Sequence, residues 1–140
     1  MHSGNCQLPC LPNRVLCQPK KEPIQMPGFE DLQVWQRAVE LSAAIYRETR
    51  DLRDFGFRDQ ITRAGLSICS NIAEGMERST VADQCKFLDY ARASCGEVRT
   101  QTIVGMKVGF IADEIGTDWG SETRELAAMI NGLIRSIRPR

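Results

Sequence analysis

Five cations, Arg78, Lys86, Arg92, Arg99 and Lys107, recur along one stretch of this chain. At helical spacing they fall within an arc of about 140°. Guanidinium forks suit phosphate oxygens, so such a stripe could follow a nucleic-acid backbone. Asp89 lies inside the arc and can pair with Arg92 three residues on. A solvated, salt-bridged helix face would look the same, and that alternative stays open. A second cationic group, Arg47, Arg50, Arg53, Arg58 and Arg63, surrounds a predicted helix–helix turn. Glu48, Asp51, Asp54 and Asp59 are interleaved with it, so it nets only +1.

Other chemistries lack their residues. The single histidine is His2, so Ser-His and Cys-His nucleophile pairs and the Glu-x-x-His pairs of a bundle di-iron site are missing. Gly105-x3-Gly109 is not a phosphate loop, having neither the pattern nor a preceding strand. No carboxylate pair stands out as an acid and base. The reading is a non-enzymatic protein with no cofactor and no metal. Cys6-x3-Cys10-x6-Cys17 does not follow zinc spacing, which calls for close Cys pairs. Cys69, Cys85 and Cys95 fall in helical sequence and read as small buried thiols rather than disulfide partners.

The elements that would position the cations are helices. Leu32, Trp35, Val39, Ser42, Ile45 or Tyr46, and Thr49 recur at three- and four-residue steps, predicting a helix over 30–52. Gly56 marks a break. Ile61, Ala64, Gly65, Ile68 and Ile72 give a second stripe over 57–76, stopped at Gly75. Thr80, with Asp83 three residues on, caps a third and longest helix over 80–111. Gly116 closes the next loop, and Asp118 caps a fourth helix over 118–138. Arg135, Arg138 and Arg140 suit its negative C-terminal end. Four amphipathic helices with short connections predict an all-α, antiparallel up-down-up-down four-helix bundle.

Polar residues interrupt the second stripe. Asn71 lies one step from Ile68 and Ile72, so part-burial is expected. A buried amide needs partners, and Ser94, Glu97, Gln101 and Thr102 are candidates across the bundle. On this reading Ser70, Asn71 and Glu74 set helix register, as a buried Asn does in coiled coils, with a ligand-binding role as the alternative, and Trp35 is a core or interface anchor.

Residues 1–28 hold five of the six prolines and no helical or strand period, which predicts a flexible leader ahead of a bundle over 29–140. Pro9, Pro12 and Asn13 break any signal-peptide h-region, and no apolar run reaches membrane-span length, so the default compartment is the cytoplasm. The chain has 140 residues with 18 basic and 18 acidic side chains, so bulk charge gives no push toward nucleic acid and only a local patch can.

Phe29-Glu30-Asp31-Leu32-x-Val34-Trp35-Gln36-x-Ala38 resembles the opening of the four-helix-bundle proteins encoded in intervening sequences of bacterial 23S rRNA genes. Gln60-Ile61-x-Arg63-Ala64 followed by Ser67-Ile68-x-Ser70-Asn71-Ile72-Ala73-Glu74-Gly75 resembles their central signature. Phe87-Leu88 with Ala91, Ser94, Glu97, Thr100 and Gln101 resembles their third helix. Thr62 stands where many members have a second basic residue, and Cys69 where a proline is common.

The resemblance implies a bundle that assembles as a homo-oligomeric ring, typically a pentamer. It also implies kinship with the accessory variability determinant of diversity-generating retroelements, which binds a reverse transcriptase and nucleic acid through a basic surface. Carried over by position, Arg63 falls in the family's basic second-helix motif. The expected function is a nucleic-acid-associated helper that binds RNA, DNA or a ribonucleoprotein. It would be a retroelement accessory protein docking a reverse transcriptase, or an rRNA intervening-sequence protein. The candidate contacts are Arg58, Arg63, Arg78, Lys86, Arg92, Arg99 and Lys107. The alternative is a structural, protein-interaction bundle with no nucleic-acid role.

Overall fold

The computed structural model describes residues 28–140, which form four helices after a single 3-10 turn at Phe29–Asp31. The helices are α1 (Gln33–Glu48), α2 (Phe55–Glu77), α3 (Val81–Lys107) and α4 (Asp113–Ile137). The expected leader and its three cysteines lie outside the described residues.

Apolar spacing makes each helix bury one face. In α1 that face is Val34, Ala38, Leu41, Ser42 and Ile45, and Tyr46 turns outward. Ile61, Ile68 and Ile72 of α2, Leu88, Cys95 and Val98 of α3, and Leu126 and Ile130 of α4 fill the centre with no exposure. Each large aliphatic among them contributes about 1.5–3 kcal/mol through burial. Cys69, Cys85 and Cys95 are buried free thiols.

The antiparallel order follows from contacts. Across α2 and α3, Gly75 meets Gln84 and Leu88, Ser67 meets Ser94, and Gly105 meets Phe57. Residue numbers rise on one helix as they fall on the other. Across α1 and α2 the same sense appears: Gly65 meets Ser42 and Ile45, while Arg58 meets Arg50. Across α3 and α4, Met106 meets Gly116 and Arg92 meets Asn131. The diagonal pairs stay apart, so each helix packs on its neighbours in chain order.

The boundaries correct several expectations. Phe29–Asp31 is a separate turn, and α1 ends at Glu48, where Thr49 caps its own helix by donating to the Ile45 carbonyl at 2.7 Å. The break before α2 precedes Gly56: Asp54 caps the helix by accepting from the Phe57 amide at 3.0 Å. Gly75 does not stop α2, which runs to Glu77. Gly75 is there for closeness. A Cβ at this position would come 3.1 Å from the Gln84 carbonyl oxygen and 3.4 Å from Leu88 Cγ. Thr80 does cap α3, accepting from the Asp83 amide at 3.2 Å. The α3–α4 reversal is made by Gly109, whose φ of +82° is the left-handed conformation glycine tolerates. Helix α4 therefore starts five residues before Asp118, and Gly116 is buried inside it against Met106.

Candidate nucleic-acid interface

The α1–α2 turn gathers arginines from the end of one helix and the start of the next. Tyr46, Arg47, Thr49, Arg50, Arg58, Asp59 and Thr62 line a concavity of about 460 Å³. Buried Thr49 and Thr62 each donate their hydroxyl to a carbonyl of their own helix, Ile45 and Arg58, at 2.7 Å. The strong donors left facing the concavity are the guanidiniums. Arg58 gives one N–H to the Arg50 carbonyl at 3.4 Å and lies 4.7 Å over the Phe55 ring. Among the described residues, Arg47, Arg50, Arg53, Arg58 and Arg63 have no carboxylate within ion-pair distance. Of the interleaved acids, Asp54 is taken up by the helix cap, while Asp59 lines the concavity with the arginines, beyond ion-pair distance of any of them.

The α3 stripe is different. Arg78 pairs with Glu74 at 2.5 Å and lies 4.5 Å over the Phe87 ring. Arg92 pairs with Asp89 at 3.0 Å and donates to Asn131 of α4 at 2.7 Å. Arg99 is half-buried, and Lys86 and Lys107 are exposed. Burial pushes the Cys95 thiol up to about 11, against a smaller opposing pull from Arg99.

The seven candidate contacts thus do not form one patch. The antiparallel register places Arg58 and Lys107 toward one end of the bundle, with Arg63 further along the same helix as Arg58. Arg78 and Lys86 lie at the opposite end, Arg78 roughly 30 Å from Arg58 at 1.5 Å per residue of α2. Arg92 and Arg99 lie between.

The polar signature is built differently from its sequence reading. Asn71 is part-buried as expected, but its amide donates to the Ser67 carbonyl of its own helix at 2.8 Å. It does not reach Ser94, Glu97, Gln101 or Thr102. Gln101 Oε1 and Thr102 Oγ1 are buried without a partner. The cross-helix bond is made by Ser67, whose hydroxyl meets that of Ser94 at 2.5 Å. Ser70 is exposed, and Glu74 is committed to Arg78. Trp35 is half-buried, edge-on to Phe29 at 5.4 Å, and borders a groove of about 780 Å³ shared with Trp119.

Sequence reasoning did not find Arg37. It clasps α1 to α4, reaching Glu122 at 2.6 Å and also Glu125 and the Met129 sulfur. Its hydrogen bonds to Glu122 first, and then to Glu125, hold its pKa above the ordinary arginine value. Glu122 and Glu125, three apart on one helix face, were the available signal; their partner 85 residues away was not legible. Two exposed rings were also missed, Phe55 at 61% and Tyr46 at 47%. Tyr46 directly precedes Arg47, and Phe55 falls between Arg53 and Arg58. Among the described residues no group of His, Cys, Asp and Glu is placed to hold a metal, and no helix is long and apolar enough to cross a membrane.

A family model described as 23S rRNA-intervening sequence protein matches residues 30–132. Among solved structures, a protein of unknown function from the S23 ribosomal protein family of Bacteroides thetaiotaomicron VPI-5482 superposes with a TM-score of 0.68. It is 22% identical, and the match covers 72% of this chain and 97% of that one, which shows a shared fold. No curated protein matches the chain in sequence.

Proposed function

Given that this chain belongs to the 23S rRNA-intervening sequence protein family, we propose that it is a non-enzymatic, cytoplasmic RNA-associated helper. It acts through the arginines of the α1–α2 turn, Arg47, Arg50, Arg58 and Arg63. The observation that supports this reading is their lack of carboxylate partners in a stretch rich in acids. Guanidiniums not neutralised within the fold keep their forked donors for phosphate oxygens. Of the α3 cations, Lys107 lies toward the same end and can extend the surface. Arg78 and Arg92 are already neutralised.

Self-association would strengthen the surface. A ring multiplies one modest patch per subunit into a larger field, which a chain of zero net charge otherwise lacks. Light scattering after size exclusion should give a multiple of 15.7 kDa, near five; a monomer would remove this contribution. Docking of a reverse transcriptase is a narrower form of the same proposal, and a reverse-transcriptase gene beside this one would select it.

The test is an RNA titration across salt. Phosphate contacts predict log affinity falling linearly with log salt, with a slope of about −0.7 per contact on a single strand. Absence of salt-sensitive binding by the assembled protein would leave the bundle a structural element with a solvated surface.

A further inference from the structure

The arginine turn carries aromatic rings as well as charge. Phe57 points inward, edge-on to Phe110 at 5.3 Å, so the core at this end is already closed by one phenylalanine of α2. Phe55, two residues earlier, faces solvent and is the most exposed large apolar side chain among the described residues. Arg58 covers one part of its ring at 4.7 Å, and more than half of the side chain remains open to water. On the other side of the turn, Tyr46 is half-exposed and forms a wall of the arginine concavity. An exposed phenylalanine and tyrosine contribute little to folding where they stand.

Rings beside guanidiniums match one class of ligand. A single-stranded nucleic acid offers phosphates and open base faces at short alternating intervals, and proteins that hold it combine a cationic groove with aromatic platforms. A duplex covers its base faces by stacking and pairing, so it could use the arginines and not the rings. We infer that the α1–α2 turn is a binding site for single-stranded RNA, with phosphates among Arg47, Arg50 and Arg58 and bases stacked on Phe55 and Tyr46. This rests on the nucleic-acid reading given above and names the form of RNA that the turn takes.

The experiment compares a short labelled oligoribonucleotide without self-complementarity and its duplex with the complementary strand, by fluorescence anisotropy at low and moderate salt. The single strand is expected to bind about tenfold tighter than the duplex. Phe55→Ala and Tyr46→Ala should each weaken single-strand binding by about tenfold, the loss expected for one stacked base, and leave duplex binding unchanged. Phe55→Leu keeps apolar area without a π face and should lose as much as Phe55→Ala. Tyr90→Ala removes an exposed ring from α3 and should change nothing. Far-UV circular dichroism checks that each variant keeps its helicity. Equal or tighter duplex binding, full affinity of Phe55→Ala, or an equal loss in Tyr90→Ala overturns the inference and leaves the RNA reading standing. No binding of either form at low salt overturns the RNA reading and the inference with it.

Discussion

The α2–α3 seam and the α1–α2 turn are built on opposite principles. The seam contains much of the pattern that identifies the family, and several of its polar and small residues are occupied within the fold, although Gln101 Oε1 is buried without a partner. Ser67 meets Ser94, Asn71 meets its own helix, Glu74 meets Arg78, and Gly75 lets two backbones approach closely. The turn has a less regular sequence, five arginines scattered among acids, and its cations lack partners. The difference teaches that a recognisable pattern can mark what holds a fold together, while a working surface shows itself by what its groups leave unsatisfied.

Charge reversal breaks the comparison most directly. Arg50→Glu with Arg58→Glu should weaken RNA binding by tenfold or more and reduce the salt slope by about 1.4, two contacts at ~0.7 each. The fold should survive, because a carboxylate in the first turn of α2 suits the positive end of the helix. Arg92→Glu with Arg99→Glu should cost less than about threefold, since Arg92 is already paired with Asp89 and Asn131. Anisotropy titrations on both double variants decide the matter. A larger loss from the α3 pair would move the surface to α3.

The seam should answer in stability instead. Gly75→Leu forces a side chain against the Gln84 carbonyl and Leu88, where even a Cβ is tight. Overpacking of this kind costs about 1–3 kcal/mol, offset in part by the ~1 kcal/mol gained when a helix loses a glycine. Urea unfolding measures the balance, and the RNA affinity of the folded fraction should not change. An unaltered midpoint would mean the helices can separate there at no cost, and the seam would not be the rigid member of the pair.

What was legible depended on the range of the interaction. Thr80 was readable as a cap because its partner amide is three residues away, and the Asp89–Arg92 pair for the same reason. The helices themselves were readable because three- and four-residue spacing is local. Glycine was not, because it serves two purposes. Gly75 and Gly116 looked like a stop and a loop and are close-packing residues, whereas Gly109 makes the turn. Only the partner helix distinguishes the two uses. The split of the candidate cations between opposite ends, and the neutralisation of Arg92 through Asn131, needed the fold.

Arg37 gives a third kind of charge, cationic and fully committed, against which the turn can be calibrated. Arg37→Met should cost about 1 kcal/mol in urea unfolding, a modest figure because the pair is about a third exposed and screened by solvent. Part of that cost is repulsion between Glu122 and Glu125, left facing each other at i,i+3. Raising the salt should shrink the difference. RNA binding should be unaffected, since this guanidinium has no free fork. Weakened binding in Arg37→Met would show that pairing inside the fold does not remove an arginine from the RNA surface.

The smallest effect sharpens the seam itself. If Asn71 set helix register, its removal would be costly and coupled to α3. Its amide instead bonds the Ser67 carbonyl one turn back. Asn71→Ala therefore loses a hydrogen bond of roughly 0.5–1.5 kcal/mol and regains about 0.5 kcal/mol of helix propensity, for a net change below about 1 kcal/mol. A double-mutant cycle separates the two accounts. Ser67→Ala with Ser94→Ala should show a coupling of at least about 0.5 kcal/mol, because those hydroxyls meet across the bundle. Asn71→Ala with Ser94→Ala should be additive. Coupling in the second pair and not the first would return the register-setting role to Asn71.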